Sequence, residues 1–239
     1  MDTSAVKRIK TTLFSGRPLL ERKRYFLYIG IILLLLAAAV PVFTRGTFTL
    51  DEQTLSQAEK EYGPGARKRL EAWVKLIRED QSTTDMEKLE KVNSFFNQLQ
   101  FVDDIIHWKQ KDYWATPIEL LASDGGDCED FSIGKYFTLK IMGVSEEKLN
   151  MTYVKALKLN QAHMVITYYE KPGAEPLVLD NLNKLIKPAS QRNDLLPVYS
   201  FNGTSLWIAK QRGKGKMVGS SERLGQWKNL LERMPNGLI

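Results

Sequence analysis

At 239 residues, with 43% hydrophobic and 26% charged residues, the chain has the make-up of one sizeable folded domain with appendages; it holds no low-complexity tract or internal repeat, so disorder is not the default. Its net charge of +6 belongs to residues 1–45, where Lys7, Arg8, Lys10, Arg17, Arg22, Lys23, Arg24 and Arg45 face only Asp2 and Glu21; the rest of the chain is neutral, so no nucleic-acid partner is expected. One cysteine excludes an internal disulfide, and one cysteine with two histidines cannot close a structural zinc site without carboxylates.

Residues 25–43 form an uncharged run of 19, long enough as a helix nearly to cross the hydrocarbon core of a bilayer. Arg22, Lys23 and Arg24 precede it, which orients the following chain outside the inner membrane. Two readings stay open: an uncleaved signal anchor, or a signal peptide cut after Ala37, Ala38 and Ala39. The expected organisation is a basic tail and export helix over 1–45, a folded domain over 46–212, and a basic loop with a peripheral helix over 213–239.

Helical periodicity covers 52–80, broken at Tyr62-Gly63-Pro64-Gly65, and returns over 85–100, with Asp85 as the candidate N-cap. Residues 101–127 read as a long ordered loop. A helix then runs from Cys128 to Met142 and stops at Gly143. Beyond it the period changes to that of strands: Met151–Leu159, Ala162–Glu170, Leu177–Leu182, and a hairpin over Val198–Phe201 and Ser205–Ala209 about Asn202-Gly203. Helices first and an antiparallel sheet second define an α+β domain.

The segment G-G-D-C-E-D-F sets Cys128 at a helix start, where the partial positive charge and free N–H groups favour a thiolate and a developing oxyanion. A small buried cysteine is the plain alternative, although glycines and carboxylates are poor core neighbours. Of the two histidines, His163 opens a strand in Q-A-H-M-V-I-T-Y-Y, and His107 lies in the loop. Asp180, in P-L-V-L-D-N-L, is a carboxylate in an apolar strand, which needs a partner. A helix-start cysteine, a strand histidine and a strand aspartate suit nucleophile, base and orienting acid. Trp114 suits either the cleft wall or the core. Asp124, Asp127, Glu129 and Asp130 crowd the thiol and would raise its pKa unless a cation such as Ca²⁺ offset them. Acidic residues also favour a helix start on their own account.

The runs G-G-D-C-E-D-F-S-I-G-K-Y-F-T-L-K, Q-A-H-M-V-I-T-Y-Y and L-V-L-D-N-L resemble the bacterial transglutaminase-like cysteine proteinases, in particular the LapG-like periplasmic adhesin proteases, over roughly residues 50–210. The resemblance implies a transglutaminase-like (papain-like) core and a catalytic set of Cys128, His163 and Asp180. It implies a calcium requirement with ligands at Asp127, Glu129 and Asp130. It also implies a periplasmic endopeptidase that clips a large surface adhesin near its N-terminus, and so promotes biofilm dispersal. Its partner would be a LapD-like inner-membrane receptor controlled by cyclic dimeric GMP. A transglutaminase-type acyl transferase and a non-catalytic periplasmic binding module are the alternatives on the same fold.

Overall fold

In the computed structural model, which describes residues 48–210, 213–235 and 238, the described residues begin with two helices, α1 (Glu52–Tyr62) and α2 (Pro64–Arg78). Asp51 starts α1 by accepting a hydrogen bond from the Thr54 N–H at 2.7 Å. Gly63 separates the two helices at φ +82°, a region that a side chain would strain, and Pro64 starts α2 with its φ already helical. The stretch 25–43, expected as an export helix, lies outside the described residues. Among those residues no helix is long and apolar enough to cross a membrane.

The third helix, α3 (Asp85–Phe96), is capped by Thr84 rather than Asp85. The Thr84 side chain accepts from the Glu87 N–H, and Glu87 reaches back to the Thr84 N–H. Asp85 instead accepts from Lys148 and from the Tyr168 hydroxyl, joining the helix to the sheet. The segment expected as loop contains more structure than its sequence suggests. It holds β1 (Gln100–Phe101), the single turn α4 (Asp104–His107), α5 (Pro117–Ser123) and β2 (Gly125–Gly126). α5 is specified by Thr116-Pro117-Ile118-Glu119, a capping box with proline in the first turn.

The central helix α6 (Cys128–Ile141) is buried on almost every side, with Phe131, Ile133, Tyr136, Phe137 and Leu139 in the core. Its Thr138 hydroxyl accepts from the Trp73 indole at 2.8 Å, fixing α2 against it. On its other side lies a seven-stranded antiparallel sheet in the order β6-β5-β4-β3-β7-β8-β9. The strands are β3 (Leu149–Ala156), β4 (Gln161–Tyr168), β5 (Leu177–Leu179), β6 (Lys187–Pro188), β7 (Leu195–Phe201), β8 (Ser205–Lys210) and β9 (Gly213–Ser220). Strand alternation sends Met151, Met164, Ile166 and Leu179 into the main core with α6, and Val154, Val165 and Val178 to a smaller cluster on the second face.

The end of the chain departs from its expected form. Gly213–Ser220 is an edge strand, not a loose loop, and α7 (Gly225–Arg233) is not peripheral. Trp227 is 1% exposed, stacks on Phe137 at 5.7 Å between centroids and meets Phe201 edge-on at 5.4 Å. Apolar periodicity in α7 is too sparse to show this in sequence; one large indole does most of the packing. Thr47–Ile239 clusters as one compact unit. Trp227→Ala should destabilise the domain by about 3–5 kcal/mol, read as a lower urea midpoint at unchanged slope.

Candidate active site

The start of α6 is built by backbone before any side chain is placed. β1 and β2 pair in parallel, Gln100 with Gly125 and Phe101 with Gly126, which fixes the loop leading to Cys128. A Cβ at Gly126 would collide with the Asp130 carboxylate, so only glycine lets that carboxylate fold back over the helix start. Asp130 is wholly buried and bridges the loop: one oxygen accepts from the Ala115 N–H at 2.7 Å, the other from the Asp127 N–H at 3.3 Å.

Carboxylates gather round this point. Oxygens of Asp104, Asp127 and Asp130 lie within 4.8 Å of one another, as do those of Asp104, Asp112 and Glu129, and those of Asp127 and Glu129 with the Cys128 sulfur. Asp104 Oδ2 accepts from the Tyr113 N–H at 2.5 Å, while the buried Asp104 Oδ1 and Asp127 Oδ1 have no hydrogen-bond partner among the described residues. Burial, reinforced by Glu129, pushes the Asp127 carboxyl far up. Burial likewise raises Asp130, and holds Asp104 up at about 6. The Cys128 thiol is pushed well above its usual range by burial and then by the charges of Glu129 and Asp127; its S–H points to Glu129 Oε2 at 3.0 Å. Orphaned buried oxygens among several carboxylates suit a hard divalent cation with oxygen ligands.

Each expected metal ligand therefore takes part in the cluster. Asp124 does not: it closes α5 in the left-handed region at φ 63° and turns toward Arg69. Asp104 and Asp112 join the cluster without having been singled out in sequence. An isolated acidic residue in a loop carries no periodic signal, and only the turn α4 brings Asp104 back to the cysteine.

The other two expected residues meet at the end of the sheet. His163, 1% exposed on β4, shares a hydrogen bond of 2.8 Å between Nε2 and Asp180 Oδ1, just beyond β5. Asp180 Oδ1 also accepts from the Leu182 N–H at 2.9 Å, and Oδ2 accepts from Arg192 Nη2 at 2.6 Å. Burial opposes ionisation of Asp180, but the bonds from His163 and Arg192 outweigh it and hold the carboxyl down at about 2. From the helical side, Asn97 Nδ2 donates to the Asp180 carbonyl at 2.9 Å while its oxygen accepts from the buried Lys135 at 2.7 Å. Burial brings the Lys135 ammonium down to about 7.

An ionised Asp180 on Nε2 requires the Nε2–H tautomer, which leaves Nδ1 of His163 as the basic nitrogen. Cys128 and His163 both line one cleft of about 530 Å³. The Met164 backbone, next to His163, acts against the carboxylates and draws the Cys128 thiol down, though less than burial and the charges raise it. The cleft wall includes Trp114, stacked on Phe201, and the parallel pair Tyr153–Tyr199, 5.0 Å between centroids. Trp114 thus serves both wall and core. Leu224 and Gln226 add the rim, and Gln226 donates to the Asp112 carbonyl at 2.9 Å. His107 lies outside the cleft lining, edge-on to Trp108.

The bacterial transglutaminase-like cysteine proteinase family model matches residues 70–210, more than half of the chain. Among solved structures, Legionella pneumophila LapG is similar at 46% identity and a TM-score of 0.67, covering 77% of this chain and 97% of that one. Its EGTA-treated form gives 47% and 0.68 over 77% and 97%, and its calcium-bound form 45% and 0.65 over 78% and 100%. No curated protein matches this chain. The chain belongs to the bacterial transglutaminase-like cysteine proteinase family.

Proposed function

We propose that this chain is a calcium-dependent cysteine endopeptidase in which Cys128 is the nucleophile, His163 the base and Asp180 the acid that orients it. The observation that carries the reading is the buried His163–Asp180 bond of 2.8 Å at the cleft that also holds Cys128. His163 Nδ1 takes the thiol proton, and the thiolate sulfur bonds to the scissile carbonyl carbon. The oxyanion that forms lies at the α6 N-terminus, where backbone N–H groups favour negative charge. Collapse breaks the C–N bond; His163 returns the proton to the leaving amine, and water then releases the acid from the thioester with His163 again as base.

Asp127, Glu129 and Asp130 would hold the calcium, with Asp104 supplying its orphaned oxygen; the calcium-bound form of the related LapG supports the ion, and the gathered carboxylates support these ligands. Bound there, the ion would offset the carboxylate charge that keeps the Cys128 thiol protonated. The sequence resemblance supports a large surface adhesin, cut near its N-terminus, as substrate, with biofilm dispersal as the outcome. It also supports a LapD-like receptor as partner. The basic cluster ahead of 25–43 supports a periplasmic site of action, whether the segment stays as an anchor or is removed.

Incubated with a fragment of the adhesin encoded near it, the exported domain should make one discrete cut in calcium. Cys128→Ala should abolish the cut, and His163→Ala should slow it by roughly a hundred- to ten-thousandfold. Full cleavage by Cys128→Ala would refute the reading; cleavage unaffected by EGTA would remove calcium from it. Stability gives a separate check. Asp104, raised to about 6 when folded, favours the fold most below its unfolded pKa and loses that contribution as pH rises. In EGTA the thermal midpoint should therefore fall between about pH 4 and pH 6. Saturating calcium should reverse or flatten that slope; identical slopes would place the ion elsewhere.

A further inference from the structure

Both oxygens of Asp180 are committed, and the two sides differ. Oδ1 carries His163 and the Leu182 N–H, whereas Oδ2 has Arg192 as its hydrogen-bond donor, at 2.6 Å. Arg192 comes from the turn after β6, is 4% exposed, and has its guanidinium plane fixed by Asp194: Nε donates to Oδ1 at 3.0 Å and Nη2 to Oδ2 at 2.8 Å. One guanidinium edge thus spans the buried Asp180 and the half-buried Asp194.

We propose that Arg192 is a positioning residue for the hydrolysis: it locks the rotation of the Asp180 carboxylate so that His163 keeps Nε2–H engaged and Nδ1 free for the thiol. The inference rests on the Cys128–His163–Asp180 reading above. Rotation of a carboxylate about its last bond is soft, with broad wells, so a hydrogen bond to one oxygen alone leaves the group free to turn. A buried oxygen stripped of its donor is also costly, which drives Asp180 either to turn or to take a proton. Either change weakens the acceptor on Nε2 and lets the imidazole leave its tautomer or its angle. Arg192 is suited to this over lysine because its planar fork holds Asp194 and Asp180 in one orientation.

A second feature makes the role testable. Arg192 also lines a cavity of about 260 Å³ on the second face of the sheet, beside Thr152, Val165, Thr167 and Val178. Its Nη1 has no hydrogen-bond partner among the described residues. The side chain therefore abuts space from which a small cation can replace it once it is removed.

The experiment reads the rate at which iodoacetamide alkylates Cys128 at neutral pH in calcium, with the wild-type chain and His163→Ala as upper and lower references. Arg192→Ala should react at least about tenfold more slowly than wild type. Millimolar guanidinium should restore much of that loss, without accelerating His163→Ala. Arg192→Lys should lie between wild type and the alanine variant. Arg192→Gln, closer in volume, is read in the same way should the alanine variant fail to fold by thermal unfolding. A folded Arg192→Ala within twofold of wild type overturns the inference, as does a slowed one that neither guanidinium nor Arg192→Lys improves. Wild type reacting no faster than His163→Ala overturns instead the triad reading beneath it.

Discussion

Asp104, Asp127, Glu129 and Asp130 bring four carboxyl groups to the start of one helix, two of them with a buried oxygen that nothing in the described residues satisfies. Two like charges about 4 Å apart at an effective dielectric constant near 20 repel by about 4 kcal/mol, so the group cannot ionise as a set without a counter-charge. The helix end offers only about half an elementary charge. Left alone, Asp104, Asp127 and Asp130 are pushed toward protonation, and the thiol beside them is pushed the same way. The same cluster that blocks ionisation is thus shaped to accept a cation, and in the proposed reading that cation prepares the thiol.

The second half of the site obeys an opposite electrostatic rule. Asp180 is as buried as Asp104 and Asp130, yet it is held ionised because His163, Arg192 and a backbone N–H all point at it. The antiparallel sheet makes this possible: β5 ends at Leu179, paired with Ile166 of β4, so Asp180 lies just past the ladder, where its side chain reaches His163 on β4. Helices α3 and α6 close the arrangement from the other side, through Asn97 at the end of α3 and the buried Lys135 of α6. The C-terminal helix braces the cleft, since Arg233 reaches Glu119 and the Trp114 carbonyl while Trp227 fills the core below. One acid is therefore kept charged and the others kept in check within a single domain.

Much of this is legible in the sequence because it is local. Gly125-Gly126 before Cys128, the apolar run to Met142 and the Asn202-Gly203 hairpin all depend on neighbours in the chain, and their elements fall within a few residues of the expected bounds. The pairing of His163 with Asp180 was expected from residue types, strand placement and a family resemblance, and the two side chains do meet. Arg192, Asp104 and Asp112 were not legible, because their partners lie across loops whose path no periodicity encodes. Thr116 and Glu119 did carry a capping signal for α5, masked by the surrounding Trp, Pro and Gly residues that read as loop. β9 was hidden for a different reason: glycine and lysine are weak strand formers, and its order comes from pairing with β8.

Because the chain holds one cysteine, the ultraviolet absorbance of the thiolate reports Cys128 with no background from other thiols. Followed across neutral pH in calcium and in EGTA, with Cys128→Ala as the blank, it tests directly whether the carboxylate cluster governs the nucleophile. The expected result is a thiolate signal present at neutral pH in calcium and displaced to alkaline pH in EGTA. A thiolate that forms at the same pH in both would contradict the account.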